Sequence, residues 1–171
     1  MATTSSTPSQ GILSAEKEAE RTEIVGLLEQ AYFMELETVM SYITNSINPD
    51  GVRAQEIKES LEADIEEELA HARQFGARIK ELYGVVPGSM KFEATQTDLQ
   101  PPGQQTDVVH VIRGVIAAET GAIEHYNKLI EVCADVDPVT EDMIITILRD
   151  EESHRRLFEG YLREYEAEGL A

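Results

Sequence analysis

The sequence has a single cysteine, Cys133, no tryptophan, and few cations: 14 Lys and Arg stand against 33 Asp and Glu, for a net charge of −19. A lone cysteine excludes an intrachain disulfide and any thiolate zinc or rubredoxin-type iron site built within the chain, and it points to a reducing compartment. The shortage of clustered Lys and Arg excludes direct nucleic-acid binding, which needs cations to neutralise phosphates; the segment Ala2 to Gln10 contains none. No apolar run approaches the roughly 20 residues of a membrane span, and Met1 to Gln10 lack the basic and apolar regions of a secretory signal. The expectation is a cytoplasmic protein that avoids membranes and whose natural partners are cations.

The 171 residues, 42% of them hydrophobic, suffice for one domain with a substantial core. Residues 1–14 read as a flexible N-terminal tail ending at a potential helix cap, Ser14, and residues 15–167 as an all-α domain. Helical periodicity runs over 15–47, where Ile24, Leu27, Leu28, Ala31, Met34, Leu36, Val39, Tyr42 and Ile43 recur, and again over 51–83, after the turn Asn48-Pro49-Asp50-Gly51. Residues 84–106 hold Gly84, Pro87, Gly88, Pro101, Pro102 and Gly103 and are expected to form a long connection. Two further helices follow over 107–133 and 140–166. At about 3.3 Å per extended residue, the connection can run back along a whole helix. The third helix then runs parallel to the second, and the expected fold is an up-down-down-up four-helix bundle with one long crossover.

The chemistry rests on two Glu-x-x-His pairs, Glu68/His71 and Glu151/His154, each on one helix face. A further glutamate precedes each pair: Glu35 lies 33 residues before Glu68, and Glu119 lies 32 before Glu151. Tyr42 and Tyr126 each follow that glutamate by seven residues, and Phe75 and Phe158 each follow the histidine by four. The two helical hairpins therefore repeat one pattern. Glu35 sits at i±4 from Ala31 and Val39, and Glu119 from Val115 and Ile123, so both are expected to point inward. A carboxylate buried alone costs several kcal/mol or is neutralised, so a compensating partner is expected.

Four carboxylates and two imidazoles suit iron or manganese, with zinc as an adventitious occupant. The expected arrangement has His71 and His154 terminal on one metal each, Glu68 and Glu151 bridging, and Glu35 and Glu119 capping the ends. Glu67 and Asp150 are positioned to accept the other ring proton of a ligand histidine across the bundle, and Tyr42 and Tyr126 to donate to ligand carboxylates. His110 and His125 have no counterpart in the repeat and are left outside the site. A metal-free hydrogen-bonded network of the same residues remains an alternative at this point.

The segment Glu141 to His154, together with Glu35-Leu36 and Tyr42 at its offset, resembles bacterioferritins, and the resemblance to the ferritin-like superfamily covers residues 20–166. It implies a ferroxidase centre that binds two Fe(II) ions per chain, oxidises them with O2 or H2O2, and delivers Fe(III) for mineral storage. In bacterioferritins the haem's axial methionine directly follows the glutamate of the second helix's motif. Leu69 stands there in this chain, so no haem is expected. Only Ala167 to Ala171 follow the fourth helix, which resembles the 12-subunit cages of Dps-type and related bacterioferritin-like proteins more than 24-subunit ferritins. A homo-oligomer of 12 chains is expected, with each site complete within one chain. Two other classes stay open: a cage-free di-iron or di-manganese peroxidase or oxidase related to rubrerythrin or manganese catalase, and a non-catalytic helical interaction protein.

Overall fold

A computed structural model describes residues 11–171. It contains four long helices, α1 (Glu18–Ile47), α2 (Ala54–Glu81), α3 (Val108–Cys133) and α4 (Pro138–Ala167), and no strand among the described residues. Helix α1 packs along α2, and α3 along α4, while α1 and α3 join the two hairpins. This is the expected all-α four-helix bundle. No helix among the described residues is long and apolar enough to cross a membrane.

The helix ends follow local chemistry. Residues 1–10 of the expected tail lie outside the described residues, but 11–14 are not a tail. Gly11–Leu13 forms a 3-10 turn, Ile12 is buried, and the Arg21 guanidinium donates to the Ile12 and Ser14 carbonyls at 2.9 Å each. Ser14 precedes a second short turn, Ala15–Lys17, without a side-chain cap, so α1 begins later than its periodicity suggests. Helix α2 ends where Tyr83 takes φ 66° and the Gly84 amide donates to the Ile79 carbonyl at 2.8 Å. Helix α4 starts at Pro138 rather than Thr140. Proline loses nothing at the first helical position, and the Asp137 carboxylate caps the helix by accepting from the Thr140 amide at 3.2 Å.

Two apolar cores fill the bundle. One joins Leu28, Phe75, Ile79, Tyr126 and Ile144; the other joins Tyr42, Ile57, Leu61, Ile112 and Phe158. The phenylalanines that follow the two histidines thus belong to different cores, and the polar residues of the repeat lie between them.

The crossover is latched to α1 by a charge that periodicity alone does not reveal. Glu37 is 2% exposed, and its carboxylate accepts from the Thr95 amide at 2.8 and 2.9 Å, the Gln96 amide at 2.9 Å and the Thr95 hydroxyl at 3.0 Å. Further along, the strap presses on α3, where a Cβ at Gly114 would stand 2.7 Å from the Asp98 carbonyl oxygen and 3.0 Å from the Leu99 Cα. Both are backbone atoms, and Leu99 is itself buried. Gly114→Ala is therefore expected to cost about 1–3 kcal/mol through overpacking, despite the better helix propensity of alanine; urea denaturation measures it, and an unchanged midpoint would contradict this close approach.

Candidate metal centre

Glu35 and Glu119, from α1 and α3, are each 2% exposed, and Glu68, His71, Glu151 and His154, from α2 and α4, are all buried. The structure brings all six together. Glu35, Glu68, His71 and Glu151 each place a ligand-type atom within 4.8 Å of the others, as do Glu68, Glu119, Glu151 and His154. Glu68 and Glu151 belong to both groups, so they stand between two adjoining positions.

The geometry has a near two-fold symmetry that exchanges the hairpins. His71 Nδ1 lies 3.1 Å from Glu151 Oε1 and 3.8 Å from Glu68 Oε2; His154 Nδ1 lies 3.1 Å from Glu68 Oε1 and 3.7 Å from Glu151 Oε2. The Tyr126 hydroxyl donates to Glu35 and the Tyr42 hydroxyl to Glu119, each tyrosine serving the other hairpin's glutamate. The Nε2 edges of the rings face outward: His154 Nε2 is 3.2 Å from Glu67 Oε2, and His71 Nε2 is 3.7 Å from Asp150 Oδ2. Glu67 and Asp150 thus reach across the bundle, from α2 to α4 and from α4 to α2. His110 and His125 are elsewhere, bonded to the carbonyls of Gln100 and Leu27.

Without a cation this cluster is electrostatically uneasy. Burial first, and then the charges of Glu68 and Glu151, push the carboxyls of Glu35 and Glu119 well above the usual range. Burial opposes charge on the imidazoles too, but the carboxylates of Glu151 and Glu68 outweigh it and raise His71 to about 9 and His154 to about 12. Burial likewise opposes ionisation of Glu68, and the two histidines overcome it and hold that carboxyl below its ordinary range. Tyr42 and Tyr126 are pushed up by burial, so they keep their protons and remain donors.

The donor set fits a metal. Both Glu68 oxygens, Glu151 Oε1, His71 Nδ1 and His154 Nδ1 are buried without a hydrogen-bond partner, although some approach each other to 3.1 Å. Buried polar atoms are nearly always satisfied. Five unsatisfied oxygen and imidazole ligand atoms converging on one place, with His154 Nε2 hydrogen-bonded to Glu67 and His71 Nε2 facing Asp150 at 3.7 Å, form a set that can coordinate cations.

One residue breaks the symmetry and was not singled out by the repeat. Asp64 lies 3.8 Å from His154 Nε2, with Oδ2 buried and unpartnered, and burial raises its carboxyl to about 6. Its counterpart seven residues before His154 is the buried Ile147. The seven-residue interval from Asp64 to His71 placed it on the ligand face; the missing counterpart hid it.

Comparison with known proteins agrees with this architecture. The chain is 26% identical over 149 residues to a bacterioferritin of Desulfovibrio desulfuricans, covering 86% of this chain and 79% of that protein. It is 27% identical over 143 residues to a DNA protection during starvation protein of Pyrococcus furiosus, covering 82% and 77%. Among solved structures, a dodecameric thioferritin, the bacterioferritin-related protein of Bacteroides fragilis, superposes with a TM-score of 0.80 at 24% identity, over 87% of this chain and 89% of that one. The Desulfovibrio desulfuricans bacterioferritin, described with a diiron site in different catalytic states, gives 0.76 at 22% identity, over 90% and 86%. The ferritin-like domain model matches residues 25–167, and the chain belongs to that family.

Proposed function

We infer that the chain oxidises Fe(II) at the cluster, two ions at a time, and stores the product inside a hollow assembly of its own copies. The observation that carries this reading is the set of five buried, unpartnered donor atoms shared between two adjoining positions. Glu35, Glu68, His71, Glu119, Glu151 and His154 act as ligands, with Tyr42 and Tyr126 holding the outer glutamates and Glu67 and Asp150 orienting the histidines. The likeness to a bacterioferritin and to a dodecameric relative supports both oxidation and a 12-chain cage.

The iron is substrate. Two Fe(II) ions yield two Fe(III) and two electrons, which with two protons reduce O2 to H2O2, or H2O2 to two waters. The protein's share is to hold the ions side by side in a dry site, shed the imidazole protons as they bind, and keep each carboxylate aimed through its tyrosine or histidine neighbour. Anaerobic Fe(II) titration is expected to saturate at two ions per chain, and aerobic loading to leave more than two Fe(III) per chain with an assembly recovered by size exclusion. Failure to bind Fe(II) would sink the oxidation reading. Two ions bound with none retained beyond them would leave a cage-free dimetal enzyme.

A further inference from the structure

The six ligand-type residues repeat between the hairpins, but the carboxylates behind them do not. Within 4.0 Å, the outer nitrogen of His71 faces one carboxylate, Asp150 at 3.7 Å, whereas that of His154 faces two, Glu67 at 3.2 Å and Asp64 at 3.8 Å. Glu67 and Asp150 are counterparts, each four residues before a histidine, while the residue that matches Asp64 is the apolar Ile147. Glu67 also comes within 4.8 Å of His71 and Asp150, so it stands beside both rings; Asp64 stands beside His154 alone.

Asp64 is not an ordinary surface charge. Its side chain is 15% exposed, against 48% for Glu67, and its Oδ2 is buried without a hydrogen-bond partner. A buried acceptor left unpaired costs free energy, which an apolar side chain such as that of Ile147 would avoid in the same place. A sheltered carboxylate also acts through less water than an exposed one, so its field at the ring is less screened.

We propose that Asp64 is a positioning residue that makes the two metal positions unequal. Acting through His154, it gives the position formed by Glu68, Glu119, Glu151 and His154 the tighter hold, so that this one fills before the position formed by Glu35, Glu68, His71 and Glu151. This rests on the metal-binding part of the proposed function and adds an order to it. His154 turns Nδ1 to the cluster and Nε2 to the carboxylates. A carboxylate that holds the outer N–H makes the inner nitrogen a better ligand. A divalent ion that replaces a proton at Nδ1 also brings one more positive charge to the ring, so each further carboxylate on the outer edge favours the ion over the proton. The first Fe(II) then waits beside His154, and the pair is completed on the His71 side.

Anaerobic calorimetric titration with Co(II), at neutral pH, of wild type, Asp64→Ile and Asp64→Asn tests this. The isoleucine copies the matching residue of α4, and the asparagine keeps the shape of Asp64 without its charge. Wild type is expected to bind in two separate steps. Both variants should keep wild-type far-UV circular dichroism and two ions per chain, with the tighter step weakened by roughly 10–100-fold and the weaker step unmoved. Added to His71→Ala, Asp64→Ile should weaken the remaining position by the same factor; added to His154→Ala, with no ring to act through, it should change nothing. If either histidine variant fails to fold, the single Asp64 variants decide by themselves. Two wild-type ions that bind alike would overturn the proposal, as would steps that stay equally far apart in both Asp64 variants. Equal weakening of both steps would overturn it too, marking Asp64 as a prop of the bundle. A wild type that takes up no Co(II) would overturn the metal-binding reading as well, so the two failures are distinct.

Discussion

Glu68→Ala is expected to strip the chain of both metal ions and to lower Fe(II) oxidation by at least about 100-fold. Altering a partner that merely orients a metal ligand already costs about 10–100-fold in affinity or activity, and Glu68 is more central than that. One of its oxygens lies 3.1 Å from His154 Nδ1 and the other 3.8 Å from His71 Nδ1, so its loss empties a place in both groups at once. The same substitution separates the metal site from a metal-free buried network. If the carboxylates and imidazoles exist only to satisfy one another, removing Glu68 leaves two buried cations short of a partner and costs about 3–5 kcal/mol, with no metal involved. If they exist to hold cations, the defect appears in metal content, and the stabilisation that added metal confers on wild type through binding only the folded state is lost. Elemental analysis and thermal melts of Glu68→Ala, wild type and Glu62→Ala, an exposed change on the same helix, decide between them. Equal metal content in all three would refute the ligand role.

The helices and the convergence of the six residues were legible because both are periodic. A glutamate at i±4 from apolar residues can only point where they point, and a pattern repeated in two hairpins meets itself when they pack. What sequence reading missed is local and unrepeated. Glu37 is one charge whose partners are backbone amides 58 and 59 residues away, and no periodicity reports such a pairing. Asp64 has no mate in the second hairpin. Ile43 followed the helical rhythm of the core and yet lies at the surface, because that rhythm marks an apolar stripe without saying which side of the helix turns inward. Residues 11–14 looked like tail because a short turn held by one arginine has no period at all.

The remaining large effect concerns the joint between the hairpins at the end of the bundle, where Arg78 of α2 meets the start of α4. Its guanidinium donates to Asp137 Oδ1 at 2.8 Å, to Asp137 Oδ2 at 2.9 Å and to the Thr140 hydroxyl at 2.7 Å, and that hydroxyl donates to Asp137. Asp137 is 0% exposed. Asp137→Ala therefore leaves a guanidinium with little solvent and only the exposed Glu81 carboxylate, 2.8 Å away, as its acidic partner, a loss of about 2–3 kcal/mol, and removes the cap of α4, about 1 kcal/mol more. At about 2–4 °C per kcal/mol for a chain of this size, the melting temperature should fall by roughly 6–16 °C. The pH dependence has a definite sign. Burial opposes the charge on Asp137, but the Thr140 and Arg78 hydrogen bonds prevail, so its folded pKa lies below the ordinary value. A carboxyl lowered in the folded state stabilises above its unfolded pKa, about 3.9, and loses that contribution as pH falls through the folded value. The gap in melting temperature between wild type and Asp137→Ala should thus be full near neutrality and shrink below about pH 4. A gap that persisted unchanged into acid would mean that the capping geometry, rather than the buried charge pair, holds this end of the bundle together.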